Sequence, residues 1–174
     1  MPLESVKFYN TFADKIPSVA VSIADKIYTE ANFAVFSTDK TSSILHDIDR
    51  VLWTFSSPKF IPHLLSTDED YKIYKTKSTN INLLCSDVES LGDFLLNHKN
   101  ITLLIINNNL QFNFEEMFGI LQGCTNIISV AMLTPIEQTA NWQASIQCPL
   151  QLTKQNSIPH EIWQNFDFGW EKMF

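Results

Sequence analysis

A strand exposed on one face alternates apolar and polar side chains, whereas a strand covered on both faces does not. Residues Ile101 to Ile106 and Ile127 to Leu133 are apolar almost without interruption, and Phe33 to Phe36 repeats the pattern. Each run is strand-sized, far short of the roughly 20 residues of a membrane helix. Val6 to Asn10, Ile81 to Cys85, Asn126 to Thr134 and His160 to Phe166 complete the predicted strands. Between them lie amphipathic stretches. Val19, Ile23, Ile27 and Tyr28 form one helical stripe; Ile44, Leu45, Ile48, Val51, Leu52 and Phe55 form a second, with Thr41, Ser42 or Ser43 as its N-cap. Val88, Leu91, Phe94 and Leu95 predict a short helix, as does Phe114 to Leu121. A final helix runs from Ile136 to about Gln147, and Cys148-Pro149 breaks it because proline lacks the N–H a helix needs. Ser66 to Asn80 reads as a polar loop and Asp167-Phe168-Gly169 as a turn. Strand and helix alternate throughout. The expected fold is therefore α/β: one domain over residues 1–174, in three layers, with a largely parallel central sheet flanked by helices.

Charge narrows the function. The net charge is −7, with Arg50 the single arginine. The one dense basic stretch, Lys72, Lys75 and Lys77, follows directly on Asp68-Glu69-Asp70. Binding to phosphate backbones requires clustered cations, so little direct nucleic-acid binding is expected, and protein or small-molecule partners are favoured. The start, MPLESVKFYN, lacks the basic and apolar pattern of a secretory signal. Three scattered cysteines, Cys85, Cys124 and Cys148, form no Cys-x-x-Cys pair. A cytoplasmic protein without disulfides, zinc or a membrane anchor is expected.

Sheets of this kind often hold nucleotides, and the chain lacks the means. Phosphate cradles need glycine after the first strand, so that backbone N–H groups can approach the anion. The four glycines are Gly92, Gly119, Gly123 and Gly169, and Asn10 to Pro17 contains none. The topology is nucleotide-binding-like without a phosphate loop, and no cofactor is expected. No nucleophile elbow is present. Cys85 at a strand end reads as a buried thiol rather than a nucleophile. His46, His63, His98 and His160 lack metal-ligand spacing. Catalytic and metal residues are accordingly expected to be none. The competing reading is a small-molecule-binding or hydrolytic enzyme on a flavodoxin-like sheet, which would require a deep polar pocket with shifted titratable groups.

The remaining feature is LWTFSSPKFIPHLL, residues 52–65. On a helical projection Ile44, Ile48, Val51, Leu52 and Phe55 gather on one side, and Trp53 falls nearly opposite, among His46, Asp49 and Arg50. Pro62 favours an extended Phe60-Ile61-Pro62-His63. Either the loop folds over Trp53 and buries it, or Trp53 and Phe60 form an outward surface suited to a partner.

Phe8-Tyr9, Ile48, Leu52-Trp53, Thr54-Phe55 and Phe60-Ile61-Pro62-His63, followed by Trp142, Ile162-Trp163-Gln164-Asn165 and Trp170-Glu171-Lys172, resemble the chi subunit of bacterial DNA polymerase III, in its alphaproteobacterial form. The resemblance implies a non-catalytic accessory subunit of the holoenzyme. It implies a contact through Trp53, Phe60, Ile61, Pro62 and His63 with the psi subunit, an accessory helicase or the clamp loader directly. It also implies a pocket for the acidic C-terminal tail of single-stranded-DNA-binding protein (SSB), here at Trp142, Thr139 and Lys154. The family's helix carries an arginine three residues before its aromatic; Thr139 stands there in this chain.

Overall fold

The computed structural model describes residues 3–27, 32–39, 43–54, 61–68, 81–107, 113–136, 142–166 and 169–173, with the backbone alone at Ile128 and residues 142–145. The strands are β1 (Val6–Phe12), β2 (Asn32–Ser37), β3 (His63–Leu65), β4 (Ile81–Cys85), β5 (Ile101–Ile106), β6 (Ile127–Ile136), β7 (His160–Phe166) and β8 (Gly169–Lys172). The helices are α1 (Ile16–Ile27), α2 (Ile44–Thr54), α3 (Val88–Asn97), α4 (Phe114–Gly123) and α5 (Trp142–Gln155).

The strands form one sheet in the order β3-β4-β2-β5-β6-β1-β7-β8. Every neighbouring pair is parallel except β7 with β8. Right-handed crossovers then fix the layers. From β1 to β2 and from β2 to β3 the chain moves one way along the sheet, which sets α1 and α2 on one face. From β4 onward it moves the other way, which sets α3, α4 and α5 on the opposite face. The two apolar cores match this division. Ile16, Val21, Ile48 and Leu52 pack on Val35, Leu83 and Leu133. Leu91, Met117, Leu121 and Ile146 pack on Phe8, Leu103 and Met132. Adjacent residues of one strand thus serve opposite cores, which is why β5 shows no alternation and is buried along its whole length.

Local chemistry supports the helices. Asp87 caps α3 by accepting from the Ser90 N–H at 2.7 Å, and Asn113 caps α4 by accepting from the Glu116 N–H at 3.2 Å. No glycine loop follows β1; a single 3-10 turn, Ala13–Lys15, leads straight into α1.

Three elements differ from expectation. The last helix starts at Trp142 and continues through Pro149 to Gln155 rather than ending at Cys148-Pro149. Proline inside a helix costs about 3 kcal/mol. Ile146, Pro149 and Thr153, spaced by three and four residues, are all buried on the face toward the sheet, and that packing outweighs the lost hydrogen bond. Strand β6 runs two residues beyond Thr134, because Pro135 and Ile136 pair with Thr11 and Phe12 of β1 after β5 has ended. Periodicity predicts neither edge strand: β3 starts at His63, where an extended segment is expected, and β8 starts at Gly169, where a turn is expected. Ser66 to Asn80 and Asp167-Phe168 lie mostly outside the described residues. Among the described residues no helix is long and apolar enough to cross a membrane.

Candidate functional site

Helix α2 places Leu45, Ile48 and Leu52 in the core, and this turns Asp49 and Trp53, one turn apart, away from it. Trp53 is 63% exposed, the second most exposed of the large apolar side chains described. The reading in which a loop buries this indole does not hold for the described residues.

The chain returns beside α2 through Ile61-Pro62-His63. Ile61 is 1% exposed and belongs to the core under α1 and α2. It cannot itself meet a partner; it pins the segment down. His63 begins β3, pairs with Ile81 of β4, and keeps its side chain 1% exposed. Its Nδ1 donates to the Ile61 carbonyl at 2.8 Å. Its Nε2 stands 3.1 Å from Asp49 Oδ1, an ion pair whenever the ring is protonated. The Trp53 ring meets the imidazole edge-on, centroids 5.1 Å apart and planes at 68°. His63 therefore lies beneath Trp53 with its side chain closed off from solvent, and Asp49, which the sequence marked only as a neighbour, stands against its other ring nitrogen. Pro62 is half-buried, and Phe60 lies outside the described residues. Around Trp53, Arg50 reaches Asp47 at 3.0 Å and Ser43 Oγ donates to the same carboxylate at 2.9 Å.

The second predicted site lies largely outside the described residues. Thr139 and the side chain of Trp142 lie outside what is described. Lys154 is exposed in the last turn of α5, whereas Trp142 opens that helix. Twelve residues of helix separate the two by a rise of about 18 Å.

The opposite sheet edge also gathers aromatic residues, on the face that carries α1. Trp170 of β8 meets the Tyr9 ring edge-on, centroids 5.6 Å apart. Trp163 Nε1 donates to Glu161 Oε2 at 3.1 Å, and Lys172 donates to Glu161 Oε1 at 2.6 Å while lying 5.8 Å from the Trp163 ring. The hydrogen bond from Lys172, then that from Trp163, holds the Glu161 carboxyl below its ordinary range. Burial, with the Glu161 charge adding to it, pushes the Tyr9 phenol up. Ile162, the alternate residue, is core.

Among the described residues no side chains are arranged as a nucleophile with a base. Burial raises the Cys124 thiol, which disfavours the reactive thiolate. Cys85 is half-buried rather than fully buried, its Sγ 3.8 Å from the Asp39 carbonyl. Among the described residues no three His, Cys, Asp or Glu side chains are grouped to hold a metal.

The family model described as DNA polymerase III chi subunit, HolC, matches residues 3–128, the greater part of the chain, from before β1 into β6. No curated protein matches the chain.

Proposed function

Because the chain belongs to the DNA polymerase III chi subunit family, we propose that it acts as a non-catalytic connector in the cytoplasm. In this reading it joins the clamp loader, or an accessory helicase, to SSB during DNA replication. The observation that carries the reading is the exposed Trp53 held over the buried His63 ring, itself paired with the half-buried Asp49. An aromatic ring whose position is set by groups beneath it presents apolar area to a partner at little entropic cost, and Trp is enriched among interface hot spots. Covering it supplies roughly 1.5–3 kcal/mol. Trp53, Pro62 and Phe60 form the contact for psi, a helicase or the clamp loader; Ile61 and His63 hold that contact in place.

The SSB tail belongs at α5 in this reading. An acidic tail of about six extended residues spans the roughly 18 Å from Trp142 to Lys154. Thr139 offers a hydroxyl where the family's arginine supplies a charge, so the contact relies on the aromatic residue and on Lys154, and a carboxylate is held less tightly. The test is a bridging experiment with the purified clamp-loader complex immobilised. The protein should be retained and should then retain SSB, while SSB with its acidic tail removed passes through. Failure to bind either partner at low salt contradicts the proposal.

A further inference from the structure

Four buried polar side chains line up across four adjacent strands, near their C-terminal ends. Asn107 follows β5, Thr134 lies on β6, Asn10 on β1 and Gln164 on β7. Asn10 pairs in register with Thr134 on one side and with Gln164 on the other. Alternation puts Asn10 on the side of Val6 and Phe8, Thr134 on that of Val130 and Met132, and Gln164 on that of Ile162, so all face the layer of α3, α4 and α5.

Part of the row is satisfied within the fold, since Asn107 Nδ2 donates to Thr134 Oγ1 at 3.3 Å. Asn10 is 0% exposed, yet both its Nδ2 and its Oδ1 find no hydrogen-bond partner among the described residues. The buried Gln164 Oε1 finds none either. Leaving a buried donor or acceptor unpaired costs about 1–3 kcal/mol. Leucine would fit the apolar surroundings without that cost, so an asparagine with both ends unpaired marks a place where another group completes the bonds.

The surroundings define that group. The crevice outside the carboxyl ends of a parallel sheet is where such folds take small ligands. Here no Asp, Glu, Lys or Arg of β1, β5, β6 or β7 lies on this face; Lys7 and Glu161 are on the other. The described strand residues around Asn10 thus offer a ligand polar but no charged partners. A carboxamide offers a donor and an acceptor side by side, and its complement is a planar edge with the same pair, as in another carboxamide or in an adenine-type base. We propose that Asn10 and Gln164, flanked by Thr134, form a binding site for a small neutral molecule presenting such a donor–acceptor edge. The site is separate from Trp53, on the other face of the sheet, and does not depend on the connector role.

The test follows the side-chain amide resonances of Asn10 and Gln164 in the full chain, with adenosine and acetamide as separate probes for the base-like and carboxamide-like sources. One probe should move both resonances saturably while the exposed Asn97 carboxamide stays put. Asn10→Leu should fold with unchanged or higher stability and weaken that probe at least ten-fold. Gln164→Met provides the same check should the first variant fold poorly. If neither probe moves the two resonances beyond the movement at Asn97, the proposal is overturned and the row holds internal water alone. If Asn10→Leu folds and still binds the probe as the wild type does, it is overturned as well.

Discussion

The two edges of the sheet both carry tryptophan, and they use it differently. At the β7–β8 edge, Trp170 leans on Tyr9, and Trp163 is tied to Glu161 and covered by Lys172. These rings help to hold the last strand, all four residues of which are exposed, onto the sheet. At the α2–β3 corner the order is reversed: His63 and Asp49 lie beneath, and Trp53 stands above them at 63% exposure, against 38% for Trp170. A ring serving its own fold is sheltered by what it touches. A ring intended for a partner needs rigid support below and open area above, and the second arrangement fits Trp53.

The strongest way to break this comparison is in the support. Ile61→Ala removes a core side chain and should cost about 2–5 kcal/mol, read as a lower urea midpoint with an unchanged slope. A shift under a few tenths of a kcal/mol would mean that the segment is not anchored there. Trp53→Ala is the counterpart. It should leave folding stability within about 0.5 kcal/mol, as exposed positions do, while weakening partner binding by about 2 kcal/mol, or roughly thirty-fold. Trp170→Ala should show the opposite pattern, with stability lower by about 1 kcal/mol through loss of the edge-on pair and partner binding unaffected; calorimetric melting and the same binding assay read both.

The smallest effect is electrostatic. Glu161 has its carboxyl lowered in the folded state by Lys172 and Trp163. Its contribution is thus fully present above the unfolded value of about 4.3, and is lost as pH falls through the lower folded value. Glu161→Gln should reduce stability near neutral pH by less than about 1 kcal/mol, since a partly exposed pair is screened by solvent. The gap to the wild type should close in acid. A gap that widens in acid would contradict the assignment.

The legible parts of the fold were those written in local periodicity. The uninterrupted apolar runs at Phe33, Ile101 and Ile127 announce strands covered on both faces, and the stripe through Ile48 and Leu52 turns Trp53 outward from the sequence alone. The missing parts depend on contacts distant in sequence. Three residues at His63 make a strand only because β4 lies beside them, and β8 exists only against β7. Pro149 is tolerated because Ile146 and Thr153 pack on the sheet, which no propensity reveals. The burial of His63 is hidden from the sequence for the same reason: its neighbours Asp49 and Trp53 lie on another element. The unpaired Asn10 carried no signal in its local pattern, since its neighbours across the sheet, Thr134 and Gln164, lie far along the chain.

The most direct measurement is a parallel titration of the purified clamp-loader complex with the wild type and with Trp53→Ala, each first shown to unfold at the same midpoint. The account predicts at least a ten-fold loss of affinity in the variant. Equal affinities for two equally folded proteins would contradict it and move the partner surface away from α2 and β3.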